Sequence, residues 1–381
     1  MASDKHAHAR KPTGRRPKHD HSVLVLQGGG ALGAYQAGVY EGMAEQGFAP
    51  DWVTGVSIGA INASLIAGNL PERRIERMRA FWDTVSARVP LTVPAFLDPL
   101  RLAFNRISAA ATATFGVPGF FFPRIPPPFF SPDATPEALS IYDTAPLRDT
   151  LEELVDFDLI NGKGIRLSLG TVNIHNGNSV YFDNRDRPIT PDHIMASGAL
   201  PPGFPPVVID GDHYWDGGIV SNSPLWYVLD DSPHINAMII QVDLFNSRGE
   251  LPANLDQVLE RAKDIQYSSK MRFNINRIKE LENLRVALGR LLEKLPAELR
   301  DDPDYRSLAP LAAVKRHITL VHLINRRLAH SSSAKDYEFS RATVSQLWEA
   351  GLEDVRRACA HPDWSAAIEI VRGVQVFDLA A

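Results

Sequence analysis

Short apolar runs alternate with helical spacing at the start of the chain. Residues 23–26 form a continuous apolar run, which is typical of a strand buried on both faces of a sheet. Residues 31–46 carry apolar side chains at helical intervals and stop at Gly47, a residue type that favours the C-terminal end of a helix. Residues 52–56 predict a second strand, and residues 58–69 predict a second helix rich in small side chains. This strand, helix, strand, helix order predicts an α/β fold with a parallel sheet.

The same alternation continues further along the chain and then changes. More strands are predicted at 165–171, 179–182, 207–210, 238–242 and 318–324. Beyond about residue 245 the pattern is mostly helical, with charged, leucine-rich stretches at 255–298 and 336–358. We therefore predict an α/β domain at 22–244, followed by a mainly helical C-terminal region at 245–381.

A segment rich in proline and phenylalanine, residues 90–140, interrupts the alternation. Its prolines stand at 90, 94, 99, 118, 123, 126, 127, 128, 132 and 136, and its clustered phenylalanines at 120, 121, 122, 129 and 130. We expect little regular secondary structure there. Long loops of this kind often form a lid or a lipid-docking surface near an active site. The alternative, which we favour slightly, is that the phenylalanines pack onto the core.

Residues 1–21 differ from the rest of the chain in composition. They are basic and rich in histidine, and they lack the large apolar side chains that would offset the entropy cost of ordering. We predict a disordered, solvated tail. Metal binding by the tail histidines and contact of its basic residues with anionic lipid are less favoured alternatives. These histidines are His6, His8, His19 and His21.

Charge and cysteine content narrow the classes of function. A net charge of −5 over 381 residues gives no strong field for nucleic acid, so we expect no nucleic-acid partner. The single cysteine, Cys359, sits in a helical context and has no internal disulfide partner, which suits a reducing cytosol. No apolar run reaches the roughly 18 to 20 residues of a membrane span, and the start of the chain lacks the apolar core of a signal peptide. We predict a cytoplasmic protein whose membrane contact is at most peripheral.

The strongest local motif is G-x-S-x-G, formed by Gly55, Ser57 and Gly59. It lies between a predicted strand and a predicted helix, which is the context that a nucleophilic serine on a sharp turn requires. The glycines remove side chains that would collide at such a turn. The helix N-terminus also favours negative charge next to the serine. A tight structural turn is the alternative, and the context makes Ser57 a candidate nucleophile.

A run of glycines directly follows the first predicted strand. Gly28, Gly29, Gly30 and Ala31 allow backbone N–H groups to converge on an anion, as an oxyanion hole requires. Gly28, Gly30 and Gly33 also satisfy the dinucleotide fingerprint G-x-G-x-x-G.

The dinucleotide interpretation needs an acidic residue at the end of the second strand. Asp51 precedes that strand, and Ser57 stands at its end. We therefore favour an oxyanion loop over a nucleotide site.

A third motif is Asp216-Gly217-Gly218, which follows the strand-like residues 213–215. Two glycines after an aspartate leave its carboxylate unobstructed. Asp-Gly is also a common turn dipeptide, and on this motif alone a turn is the favoured interpretation.

Together the three motifs, in this order, resemble the patatin-like phospholipase family, in its bacterial type with an extra C-terminal helical region. The resemblance extends through residues 196–206, Asp210-Gly211 and Asn222-x-Pro224, and covers roughly 22–230. It implies a three-layer α/β/α fold with a mostly parallel central sheet.

The resemblance also implies roles for individual residues. Ser57 would be the nucleophile and Asp216 its partner in a Ser-Asp dyad, with the amides of residues 28–31 holding the oxyanion. Gly33, Gly55, Gly59, Gly217 and Gly218 complete the motifs. One departure is Leu32, where many family members carry Arg or Lys, so a preference for anionic head groups is in doubt.

These observations predict a serine acyl-ester hydrolase of lipid catabolism, of the phospholipase A, lysophospholipase or lipid acyl hydrolase type. It would need no metal or other cofactor, and its substrate would be a lipid or acyl ester. Since a carboxylate with a pKa of about 3.9 is a weak base, we expect a closed apolar pocket around Asp216. The sequence leaves head group, acyl length, cleavage of thioesters or polyesters, and a homo-oligomeric state open.

Two other functions compete with this prediction. A Ser-Asp-His triad of the α/β-hydrolase kind would recruit a histidine after Asp216, and the candidates are His234, His317, His322, His330 and His361. A catalytically silent lipid-binding or scaffold protein is the alternative from another class. It ranks low because no dyad residue is missing.

Overall fold

The computed structural model describes residues 19–86, 98–133, 135–231, 236–313, 317–326, 332–361, 364 and 373–378. The predicted tail up to residue 18 and the start of the proline-rich segment, residues 90–97, lie outside the described residues. The triad candidates His234 and His330 also lie outside them.

The described part of the chain contains eleven strands. They are β1 (His21–Leu26), β2 (Trp52–Val56), β3 (Phe122–Pro123), β4 (Tyr142–Asp143), β5 (Arg166–Asn173), β6 (Ser179–Asp183), β7 (Val207–Ile209), β8 (Asp212–Asp216), β9 (Asn236–Asp243), β10 (His317–Ile324) and β11 (Gly373–Asp378). Nine of them form one sheet in the order β11-β10-β9-β1-β2-β5-β8-β7, with β6 also paired to β5. The strands from β11 to β5 along this order run parallel, and β6, β7 and β8 pair antiparallel. The predicted mostly parallel sheet is confirmed.

Helices cover both faces of this sheet. They are α1 (Ala34–Glu45), α2 (Ile58–Ala67), α3 (Arg74–Val85), α4 (Asp98–Phe115), α5 (Ala145–Leu154), α6 (Phe157–Asn161), α7 (Pro191–Ser197), α8 (Leu225–Asp231), α9 (Leu255–Tyr267), α10 (Met271–Leu292), α11 (Pro303–Ala313) and α12 (Arg341–Ala360). Among the described helices, none combines the length and the hydropathy that crossing a bilayer requires.

Alternate residues of β1 point into two separate cores. Leu24 and Leu26 pack in a core with α1, α2, α3 and α12, whereas Val23 and Val25 pack in a core with α8 and α10. This alternation follows from the two-residue repeat of a strand, and it explains why both faces of β1 are apolar. The three-layer α/β/α fold is confirmed.

Residues beyond 245 contribute to the same sheet. β10 lies beside β9 in parallel register, and β11 continues the sheet beyond it. The strand predicted at 318–324 is confirmed, whereas β11 was not predicted. α12 packs closely on α1, because a Cβ at Gly38 would lie only 1.8 Å from the carbonyl oxygen of Trp348. Cys359 lies in α12, in agreement with its predicted helical context.

Our expectation of little regular structure in 90–140 is wrong for residues 98–115, which form α4. Pro99 stands in the first turn of α4, where the missing N–H costs no intrahelical bond. The next proline, Pro118, lies beyond the end of the helix, so α4 is free of internal proline.

The phenylalanines of this segment have two different environments. Phe120 and Phe121 are buried, as expected for packing onto the core. Phe129 and Phe130 are 92% and 78% exposed. The core-packing interpretation therefore holds for the first pair alone, and the lid interpretation stays a prediction.

Candidate active site

The three sequence motifs meet at one edge of the sheet. β1 and β2 are parallel neighbours, with Leu26 paired to Gly55 at their carboxyl ends. The glycine loop follows β1 and Ser57 follows β2, so both lie at the sheet edge where ligands of parallel α/β folds bind. Asp216 ends β8, and its backbone pairs with Thr171 of β5. The glycine loop, Ser57 and Asp216 line a single cavity of about 80 Å³.

Ser57 occupies a sharp turn between β2 and α2. Its φ of 57° and ψ of −127° lie in a region that residues with side chains rarely adopt. The N–H of Ser57 donates to the carbonyl oxygen of Ser197 at 3.0 Å and to the Oγ of Ser197 at 3.1 Å. A Cβ at Gly55 would lie 2.2 Å from the carbonyl oxygen of Gly59, and one at Gly59 would lie 2.4 Å from that of Leu26. The glycines of the motif are therefore required by close backbone packing.

Asp216 is the buried acid of the cavity, with 1% of its surface exposed. Its Oδ1 accepts a hydrogen bond from the N–H of Gly218 at 2.7 Å. Burial raises the pKa of Asp216 to about 7, although the Gly218 N–H and the nearby Ser57 side chain act in the opposite direction. A carboxyl group with this pKa is suited to accept a proton near neutral pH. The chain turns away at once through a 3-10 turn that begins at Gly217.

The glycine loop passes directly beside Ser57. A Cβ at Gly28 would lie 3.0 Å from the Cβ of Ser57. Asn222 holds the loop there: its carbonyl oxygen accepts from the Gly28 N–H at 3.2 Å, and its Nδ2 donates to the Gly28 carbonyl at 3.0 Å. Asn222 also donates to the carbonyl of Tyr267 at 2.9 Å, and so does the Nε2 of Gln27. These bonds connect the loop with the end of α9.

The next residues of the loop carry unengaged amides. The N–H groups of Gly29, Gly30 and Ala31 donate to no acceptor among the described residues, as expected at the start of a helical turn. Gly29 and Gly30 line the cavity, whereas Ala31 is fully buried behind it. Gly30 has a φ of 57°, which favours glycine. Gly33 packs against Ile58, since a Cβ there would lie 2.5 Å from the Ile58 Cγ1.

Aromatic side chains form a large part of the cavity wall. Phe120, Phe121 and Phe204 come from the part of the chain before residue 231, and Phe245 and Phe339 come from the part after it. The ring centre of Phe120 lies 5.8 Å from that of Phe204 and 6.0 Å from that of Phe339. The cavity is thus closed by rings that are distant in sequence.

Residues 332–340, which we call the wall segment, close one side of the cavity. Asp336, Tyr337 and Phe339 line the cavity from this segment. The segment also contacts the glycine loop, because a Cβ at Gly30 would lie 2.3 Å from the carbonyl oxygen of Asp336. The absence of a side chain at Gly30 therefore lets the two segments meet.

Ion pairs with α9 hold the wall segment in place. The Nζ of Lys335 lies 2.5 Å from Asp264 Oδ1 and 3.3 Å from Glu260 Oε1. The Nζ of Lys263 lies 2.7 Å from Asp336 Oδ1. All five residues of these ion pairs are largely buried, so the pairs are weakly screened by salt. The position of the wall segment therefore depends on α9.

The competing functions lack comparable geometry. The Nε2 of His322 lies within hydrogen-bonding distance, 2.7 Å, of Asp243 Oδ2. Its strand, β10, is separated from β8 by four strands. Within the described ranges, no histidine lines the cavity and no group of three His, Cys, Asp or Glu side chains forms a metal site. Asp51 is exposed at the start of β2, where it accepts from the Ser22 N–H at 3.1 Å. It lies at the opposite end of β2 from the glycine loop, so it does not serve a dinucleotide there.

Sequence reasoning missed the later half of the cavity lining. These residues are Phe245, Tyr267, Asp336, Tyr337 and Phe339. No motif marks them, because they reach the cavity through long-range packing. Gln27 is a different case, because it precedes the glycine run and does not line the cavity. A polar residue that is buried at such a position needs hydrogen-bond partners. Its Oε1 accepts from the N–H groups of residues 244 and 245 at 2.6 and 3.1 Å.

Two family models match parts of the chain. The family model described as Patatin-like phospholipase matches residues 24–229, which is more than half of the chain. A second family model, described as Patatin phospholipase, matches residues 265–369. No curated protein matches the chain.

Among solved structures, VipD from Legionella pneumophila matches with 15% sequence identity and a TM-score of 0.34, over 88% of this chain and 68% of that one. This likeness is too weak to carry an argument about fold or function. The family matches cover the motif-bearing strands and, apart from Phe245, the later residues that complete the cavity. The chain belongs to the patatin-like phospholipase family, a family of lipid hydrolases.

Proposed function

We propose that the chain is a serine acyl-ester hydrolase of lipid catabolism, with Ser57 as nucleophile and Asp216 as general base. The observation that carries this proposal is that Ser57, the glycine loop and the buried carboxyl group of Asp216, whose pKa burial raises to about 7, line the same cavity. Family membership supports a lipid as the class of substrate. The aromatic cavity supports an acyl chain as the part that is bound.

In the first step, the Ser57 oxygen attacks the ester carbonyl carbon while its proton passes to Asp216. The tetrahedral intermediate collapses, and the alcohol leaves with the proton from Asp216. The acyl group is then bonded to Ser57.

In the second step, Asp216 accepts a proton from water, which attacks the acyl-serine carbonyl. Collapse of this second intermediate returns the proton to Ser57 and releases the fatty acid. Asp216 thus serves as base and acid in turn without a histidine.

The negative charge on the carbonyl oxygen requires donors in both steps. We assign this role to the amides of Gly29 and Gly30, which line the cavity and have no other acceptor within the described structure. Gly28 and Ala31 then support the loop, because the Gly28 N–H is engaged by Asn222 and Ala31 is buried. One such donor is typically worth about 3 kcal/mol of barrier lowering.

Hydrolysis of chromogenic acyl esters and phospholipids tests this proposal. We expect the wild-type protein to cleave at least one of them. Ser57→Ala and Asp216→Asn should each lower kcat/KM by about a thousandfold or more, because each removes a group that takes part in bond making. Stoichiometric labelling of Ser57 by an alkyl fluorophosphonate, followed by mass spectrometry, provides a second readout.

Two variants serve as matched controls. Ser64→Ala removes a hydroxyl from the same helix, α2, where it donates to the carbonyl of Ala60. Asp212→Asn removes an exposed carboxylate from the same strand, β8. Both should keep wild-type turnover. Absence of any ester cleavage, or full activity of Ser57→Ala, would discard the hydrolase and favour a lipid-binding protein.

A further inference from the structure

The ionisable side chains that line the cavity are all acidic or neutral. They are Asp216, Tyr267, Asp336 and Tyr337. Across the described parts of the chain, no Lys, Arg or His side chain lines the cavity. A substrate that enters therefore meets two carboxyl groups and no cation.

The cations nearest to the cavity are already paired. Lys263 binds the carboxylate of Asp336, and Lys335 binds Asp264 and Glu260 on α9. Both lysines stand behind the lining, where Lys263 lies 5.7 Å from the ring centre of Tyr337. They stabilise the wall and leave its inner surface without positive charge.

The two tyrosines of the cavity lining, Tyr267 and Tyr337, lie close to its carboxyl groups. Burial raises the pKa of Tyr267, and the carboxylates of Asp216 and Asp336 raise it further. Burial raises the pKa of Tyr337 to about 12, again with a contribution from Asp336. Both tyrosines therefore stay protonated and neutral near pH 7, and they add no positive charge to the lining.

The glycine loop adds no compensating charge. Leu32 follows the loop, and it is 4% exposed. Its apolar side chain packs into the main core with Ala31. Neither the loop nor the inner surface of the wall segment thus presents an unpaired cation that would neutralise a phosphate.

We propose that the cavity selects acyl esters without net negative charge, and that Asp336 is the residue that sets this selectivity. This inference rests on the proposed function and names its substrate class as neutral or zwitterionic acyl lipids. A phosphate close to the scissile ester would be repelled by Asp336, since the surrounding rings exclude water and reduce screening. The negative charge of the phosphate would also disfavour ionisation of Asp216, the base of the reaction.

The test uses three soluble lipids with the same chains: dihexanoylglycerol, dihexanoylphosphatidylcholine and dihexanoylphosphatidylglycerol, all below their micellar concentrations. We expect kcat/KM to fall in this order. The anionic lipid should be cleaved about tenfold or more slowly than the zwitterionic one, which has a head group of similar bulk. Comparison of these two lipids separates charge from size.

Asp336→Asn is the decisive variant. It removes the negative charge and keeps the side-chain size and the backbone carbonyl that meets Gly30. We expect it to raise the ratio of anionic to zwitterionic turnover by about tenfold. Asp301→Asn is the matched control, because Asp301 also forms an ion pair, in its case with Arg306, but is 90% exposed and lies outside the cavity lining. It should leave the ratio unchanged.

Equal wild-type turnover of the anionic and zwitterionic lipids, or an unchanged ratio in Asp336→Asn, would overturn the inference. If no ester is cleaved, the proposed function fails, and charge selectivity is decided by binding instead. Ether analogues of the same two phospholipids are then titrated into Ser57→Ala and followed by calorimetry. Tighter binding of the zwitterionic analogue, reduced by Asp336→Asn, supports the inference without catalysis, and equal affinities contradict it.

Discussion

Two regions of the chain build the cavity in different ways. Residues 22–231 supply the proposed reacting groups, which stand at strand ends and on glycine turns. Residues 236–378 supply walls, which stand on segments held by side-chain hydrogen bonds and ion pairs. In the first region the backbone leaves each group little freedom. In the second region, position depends on packing between elements, so we expect changes there to alter substrate choice more than reaction chemistry.

The largest effect beyond the dyad is expected where the two regions touch, at Gly30. Gly30→Ala introduces a Cβ at 2.3 Å from the Asp336 carbonyl and places it on a backbone with φ of 57°. We expect kcat/KM to fall by about a hundredfold, because the loop must move and its amides lose their alignment. Ester hydrolysis and thermal unfolding measured together would separate this effect from simple loss of fold.

Gly47→Ala is the matched control for Gly30→Ala. Gly47 has a φ of 76°, but nothing lies within 4 Å of an added Cβ. It should cost about 1 kcal/mol of stability through backbone strain and leave kcat/KM unchanged. Equal activity losses in both variants would show that the contact between loop and wall has no special role.

The next effect concerns pH and belongs to the first region alone. Because burial raises the pKa of Asp216 to about 7, kcat/KM should fall about tenfold per unit as the pH drops below 7 and level off above it. A pH profile for a neutral ester measures this midpoint, and Asp212→Asn should not move it. A flat profile between about pH 5 and 8 would contradict the assignment of Asp216 as base.

The same shift has a consequence for stability. The folded-state pKa of Asp216 lies above its usual value of 3.8, so protonation stabilises the fold and this contribution is lost as the pH rises through about 7. The unfolding temperature of Asp216→Asn should therefore exceed that of the wild-type protein by a margin that grows up to about pH 7 and then stays constant. A constant margin from about pH 4 upward would contradict the raised pKa.

The smallest effect is expected from the wall itself. Phe339→Ala removes a ring that contacts Phe120 across the cavity and should raise the ratio of long-chain to short-chain turnover by about tenfold. A series of chromogenic esters of increasing acyl length measures it. Phe129→Ala, which removes a 92% exposed ring, is the control and should leave the ratio unchanged. A uniform loss over all chain lengths in Phe339→Ala would argue against a role of the wall in acyl selection.

The sequence was sufficient to identify the three motifs of the first region, because the signals of these motifs are local. The apolar run before the glycine loop, the turn at Ser57 and the acid before Gly217 each follow from a few neighbouring residues. Their convergence then follows from a rule of parallel sheets, which places the carboxyl ends of strands together.

The cavity lining of the second region escaped prediction because its contacts join distant residues. Phe339 meets Phe120 across more than two hundred positions, and no sequence spacing indicates such a pair. In the first region, α4 was missed because the prolines around it masked a proline-free stretch between Pro99 and Pro118. The need for burial around Asp216 followed from its chemistry, but the side chains that supply that burial did not.

The pairing of β9 with β10 has a consequence for how the chain tolerates shortening. A chain ending near residue 244 would retain every motif yet expose the full edge of β9, whose central residues are apolar and buried in the complete sheet. An uncovered parallel edge of this kind is a template for pairing between molecules. Self-association of such a fragment would therefore reflect its missing neighbour strand.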